Sequence, residues 1–133
     1  MSYHFEFDSK NEILRCRFEG PVTDEALKEY YRVAEKYVAL TSPRAGIVDM
    51  SAVTSFLASP QTVRGLASLP PTMPDSGRPR FIVAPAPQVF AMARLFQLQG
   101  EETRPNLHIV RTLDEVWAFL GVQETRFEAL ETK

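Results

Sequence analysis

Tyr3, Phe5 and Phe7 alternate with His4, Glu6 and Asp8, and beyond a turn at residues 9–11 Leu14, Cys16 and Phe18 alternate with Arg15, Arg17 and Glu19. A period of two belongs to half-buried strands, and two such runs so close together predict an antiparallel hairpin. Its polar side sets acids against arginines, as cross-strand charge pairing favours, and reads as solvated sheet surface. From Leu27 the period lengthens. Leu27, Tyr30, Tyr31, Ala34, Tyr37 and Val38 share one side of a helix that Thr23 caps and Ser42-Pro43 closes. Its three tyrosines either line a pocket or pack on the sheet with their hydroxyls at the rim.

The pattern changes again over residues 44–60, RAGIVDMSAVTSFLASP. Gly46, Ile47, Val48 and Met50, interrupted only by Asp49, suit a strand buried on both faces. A loop over residues 51–59 and a helix opened by Ser59-Pro60 follow. Val63, Leu66, Ala67 and Leu69 form that helix's buried side, and Gly65 within it marks close approach to another backbone. Residues 70–79, PPTMPDSGRP, are too rich in proline for regular hydrogen bonding and form a lid, a partner-binding loop or a plain connection. Phe81 to Ala84 make another buried strand.

Pro87 opens a third helix that runs to Gln99 and is apolar nearly all round. Val89, Met92, Ala93 and Phe96 lie on one side, and Phe90, Ala91, Leu95 and Leu98 mostly on the other. Such a helix is covered twice, so a partner subunit, the C-terminal tail or a lipid-like ligand is expected over its second side. Leu107, Ile109 and Val110 give the last strand. Thr112 with Glu115 forms a capping box before the stripe Leu113, Val116, Trp117 and Leu120, which Gly121 ends. The expected whole is one α/β domain over residues 1–121, a mixed sheet of about five strands with four helices and right-handed crossovers. Its first strand lies antiparallel at the edge. The tail, residues 122–133, docks through Phe127 and Leu130 or frays.

Composition narrows the function little. At 133 residues, 44% of them hydrophobic and 24% charged, the chain is ordinary globular protein. A net charge of -2 gives no footprint for nucleic acid, and no apolar run approaches a membrane span. The N-terminus has no signal-peptide core, and the lone Cys16 fits a reducing compartment, so a cytoplasmic protein is expected. His4 and His108 lack a His or Cys at ligand spacing, which argues against a metal site, and no glycine-rich phosphate loop occurs. Cys16 faces the core, where thiols are inert. No cofactor and no enzymatic activity are expected. Asp49 stands out, because an acid in an apolar strand must cap backbone groups or pair with a cation. It either orders the loop by binding the amides of residues 51–53 or shapes a surface that a partner reads.

The order strand-strand-helix, then strand-helix three times, with DMSAVTSFLAS after the third strand, resembles the STAS domain. More narrowly it is similar to the stand-alone SpoIIAA-like group of anti-sigma-factor antagonists. Asp49, Met50, Ser51 and Val53 match the start of that group's motif, while its Asp-Ser pair, whose serine is phosphorylated, is replaced by Leu57 and Ala58. FAMARLFQ at residues 90–97 and the closing LDEVWAFL are also similar to a divergent, environmental bacterial branch of STAS-like proteins. The resemblance implies a SpoIIAA-like (STAS) fold and a non-enzymatic switch that binds an anti-sigma or kinase-like protein. On that basis Asp49, Ser51, Val53, Ser55, Ala58 and Ser59 form the expected partner surface, joined by Phe90, Arg94, Leu95 and Leu98 of the third helix. Phe90, Leu95 and Leu98 contact either a protein partner or a second copy of the chain. Ser59, the remaining serine, is either a phosphorylation site or a plain N-cap. The alternative is a small apolar-ligand carrier, since this branch also resembles lipid-binding sterol-transfer domains. A closed apolar cavity beneath the third helix and the proline loop is the mark of that alternative.

Overall fold

The computed structural model describes residues 2–74 and 77–130; Asp75 and Ser76 of the proline-rich loop lie outside the described residues. The elements run β1 (Tyr3–Asp8), β2 (Ile13–Val22), α1 (Asp24–Thr41), β3 (Ala45–Phe56), α2 (Pro60–Ala67) and β4 (Arg80–Val83). They continue with α3 (Pro87–Gln99), β5 (Leu107–Val110), α4 (Leu113–Leu120) and β6 (Glu128–Ala129). The strand order is β5-β4-β3-β2-β1-β6. β2 to β5 pair in parallel, and β1 is antiparallel to both β2 and β6. The mixed α/β sheet with four helices is thus the expected architecture, with β3 inside it. The tail supplies a sixth strand, so β1 is covered at Glu6 and Phe7 and is not itself the edge.

Side chains on alternate strand positions face opposite ways, and this divides the core in two. On one face Leu14, Cys16 and Phe18 of β2 and Ile82 of β4 meet Leu27 and Tyr37 of α1, Val63 of α2, and Val89 and Ala93 of α3. On the other, Ile13, Ile47, Phe81 and Val83 meet Val116 of α4, with Trp117 and Phe127 at the margin. The second face corrects one expectation in part: His4 and Glu19 of the hairpin's polar side are solvated, but its other end is covered. Arg15 and Glu6 pair at 3.0 Å with only 13% and 14% of their side chains exposed. The ring of Phe127 lies 4.0 Å from the Arg15 guanidinium carbon, because the tail folds back over the pair.

Asp8 holds that tail. Its carboxylate accepts the amides of Lys10 and Asn11, both at 3.1 Å, the Asn11 side chain at 2.7 Å and the Arg126 amide at 3.2 Å. Burial pushes this carboxyl up, but the hydrogen bonds from Asn11, Arg126 and Lys10 outweigh it and hold the group below the usual carboxylate range.

The helix ends follow local chemistry. Thr23 accepts the Ala26 amide at 3.2 Å, Ser42 closes α1 in the left-handed region at φ 45°, and Thr112 with Glu115 completes a capping box. The glycine expectation fails at Gly65, around which a Cβ would meet nothing within 4 Å. The close approach is at Gly100 instead, where a Cβ would lie 2.6 Å from Arg104 Nη1 and 3.0 Å from the Ala67 carbonyl.

Candidate functional site

β3 does not end at Met50. It pairs with β4 only from Gly46 to Asp49, yet continues along β2 to Phe56, so residues 51–59 are mostly strand where a loop was expected. Two register shifts on the way, between Arg17 and Glu19 and between Gly20 and Pro21 of β2, put extra residues into β3, while β4 ends at Val83 opposite Asp49. Asp49 sits at the first shift. It is buried, and its Oδ1 accepts the Ser51 amide at 3.0 Å and the Ser51 hydroxyl. The backbone-capping reading of Asp49 therefore describes its place, though among the described residues its partner is Ser51 and it stabilises a bulge.

Beyond Asp49 the side chains of Ser51, Ala52 and Thr54 are exposed, those of Val53 and Ser55 half-buried, and Phe56 and Ala58 buried. Of the residues expected at a partner surface, Ser51, Val53 and Ser55 reach solvent while Asp49 and Ala58 are buried. Leu57 was not among them, yet it is 63% exposed at the turn into α2. A large apolar side chain in a serine-rich turn was the available signal.

Ser59 caps α2, its Oγ accepting the Thr62 amide at 3.2 Å. Its own amide donates to Asp24 Oδ1 at 2.8 Å, which ties α2 to the start of α1. The Ser59 amide and the Thr62 side chain hold the Asp24 carboxyl below its usual range.

On α3 the second apolar side is met largely from within the chain. Phe90 and Leu95 are half-buried against the first core, and the Arg111 guanidinium lies 4.1 Å above the Phe90 ring. Arg94 is exposed and bonds Gln97. Leu98, 56% exposed, is the large apolar side chain that α3 leaves to solvent. The tail runs along β1, across the sheet from β4 and β5, between which α3 crosses over.

Between the sheet and α1, α2 and α3 lies a cavity of about 140 Å³. Its walls come from Leu14, Cys16, Val48 and Ile82 of the sheet and from Met92 and Phe96 of α3, with Thr72 and Met73 of the proline-rich loop closing one side. Two of the α1 tyrosines, Tyr30 and Tyr31, line it, while Tyr37 stacks on Phe5 at 4.6 Å. The other polar members are Arg80 and Arg104, neither of which the sequence pattern singled out.

Arg104 is 4% exposed. It donates to the carbonyls of Ala67 at 2.7 Å and Leu69 at 3.0 Å and to the Tyr31 hydroxyl at 2.6 Å, lying 4.7 Å from the Phe96 ring centre. Its charge thus rests on the carboxyl end of α2. Arg80 donates Nη1 to the Met73 carbonyl at 2.9 Å, but its Nε and Nη2 are buried with no hydrogen-bond partner among the described residues. Burial and the neighbouring Arg104 charge pull its basicity down. Among the described residues no acid forms an ion pair with either arginine.

Cys16 is buried in the same wall, and burial pushes its thiol well up, away from the reactive thiolate. His4 lies 2.9 Å from Glu19 on the surface, and His108 stacks on Phe81. Among the described residues no cluster of three metal-binding side chains occurs, and no helix is long and apolar enough to cross a membrane.

No family model matches the chain, and no curated protein matches it by sequence. Solved structures do. The anti-sigma factor antagonist SpoIIAA in its unphosphorylated form superposes with a TM-score of 0.57 at 12% identity, covering 90% of this chain and 97% of that one. The Bacillus cell fate determinant SpoIIAA in the phosphorylated form gives 0.55 at 14% identity, over 88% and 98%. The strand order, the α2 start beside the end of β3 and these superpositions agree: the chain has the SpoIIAA-like, STAS-type fold.

Proposed function

We propose that the chain is a non-enzymatic regulatory module that works by protein contact, through the end of β3 and the start of α2. The observation that carries this reading is Leu57, exposed at the tip of a strand whose last part has β2 on one side and no β4 on the other. An apolar anchor beside an open strand edge and short hydroxyl side chains is the composition of a small docking site. The likeness to an anti-sigma factor antagonist suggests a partner of the anti-sigma or kinase type.

Ser59 serves this site as a cap and not as a switch. A phosphate on its hydroxyl would break the bond to Thr62 and lie beside the Asp24 carboxylate, a like charge. A second copy of the chain is the other partner consistent with Leu57 and Leu98. The test is cross-linking in the native host, followed by titration of the identified, purified partner. Leu57→Asp weakens that binding by about tenfold with an unchanged melting temperature. Equal affinity of Leu57→Asp and wild type removes the reading.

A second reading, a carrier of a small apolar ligand, is favoured by the cavity under α3 and the proline-rich loop. Its size sets a limit. An apolar cavity of about 150 Å³ admits a benzene ring, so this one accepts a single ring or a short alkyl chain and is too small for a sterol.

A further inference from the structure

Resting on the carrier reading, we propose that the cavity takes a small organic acid, its apolar body against the sheet and its carboxylate on Arg80. A buried guanidinium with two idle donors is costly unless something polar completes it. The two idle atoms are Nε and Nη2, which lie on one edge of the guanidinium and match the spacing of a carboxylate's two oxygens. The third nitrogen is fixed on the Met73 carbonyl, so that edge is held in one orientation.

The surroundings select for an anion. Among the described residues Arg80 and Arg104 are the charged side chains lining the cavity, and both are cationic. Arg104 has engaged both terminal nitrogens, on Ala67, Leu69, Tyr31 and Thr103, so it contributes field while Arg80 contributes the open bonds. The remaining walls are almost entirely apolar. A hydrophilic anion such as free phosphate would leave them uncovered, whereas an aromatic or short-chain monocarboxylate satisfies both parts at once.

The test uses the full chain with methyl-labelled methionine, because Met50, Met73 and Met92 all line the cavity and report occupancy by chemical shift. Benzoate and hexanoate are titrated near neutral pH against their neutral counterparts, benzyl alcohol and hexanol. The carboxylates are expected to shift those methyl signals and to bind about tenfold more tightly than the alcohols. Arg80→Met removes that preference, bringing carboxylate affinity down to that of the matching alcohol. Arg80→Lys, which keeps the charge without the paired edge, retains part of it. Equal binding of acids and alcohols to wild type overturns the Arg80 assignment while the carrier reading stands. No methyl shift with any of the four compounds overturns both.

Discussion

Asp8 and Arg80 are both ionised groups withdrawn from water, on opposite sides of the same sheet, and they are treated in opposite ways. Asp8 is surrounded by donors from one turn and the C-terminal tail; three bonds order the turn after β1 and the fourth ties the tail to it. Arg80 keeps one bond to the proline-rich loop and leaves two buried donors idle against a cavity. A closed network of this kind contributes stability, while an open one costs it. The face of α4 and the tail is therefore read as framework, and the face of α1, α2 and α3 as the side that holds the proposed site.

The contrast is tested most severely at Asp8. Asp8→Ala strands buried amides and frees the tail, and is expected to cost about 3 kcal/mol in urea unfolding. Proteolysis near Arg126 accelerates in parallel. The pH dependence has a definite sign. The native carboxyl lies below its unfolded value, so its contribution is complete above about pH 3.9 and is lost as the pH falls through the lower native value. The acid limb of wild-type stability is accordingly shallower in Asp8→Asn. A carrier site on the other face loses nothing in either variant.

Gly100→Ala comes next, on the cavity side. Its Cβ would press on Arg104 Nη1 and the Ala67 carbonyl, and the expected loss is about 2 kcal/mol by the same measurement. A smaller effect is expected at the framework helix: Thr112→Ala removes an N-cap and costs about 1 kcal/mol.

The framework was largely legible in the sequence, because periodicity and capping are local. The alternation of Tyr3, Phe5 and Phe7, the stripe from Leu27 to Val38 and the N-caps Thr23, Ser59 and Thr112 each act within a few residues. What stayed hidden depends on distant chain. The Arg15–Glu6 pair looks solvent-facing until Phe127 returns over it from more than a hundred positions away. Asp49 was legible as a backbone cap, but the run of β3 to Phe56 depends on bulges that only its pairing with β2 reveals. Arg80 and Arg104 sit in segments that read as loop and strand start. Nothing local distinguishes them from surface arginines: Arg104 is buried against the end of α2, and Arg80 is covered in part beside the proline-rich loop.

The most direct measurement is the unfolding free energy of Arg80→Met. An arginine kept for a ligand and not for the fold can be replaced by an apolar side chain of similar reach at little cost, so the variant is expected within about 1 kcal/mol of wild type, or above it. A loss of about 3 kcal/mol would make Arg80 part of the framework, like Asp8, and would contradict the division of the molecule into a stabilising face and a binding face.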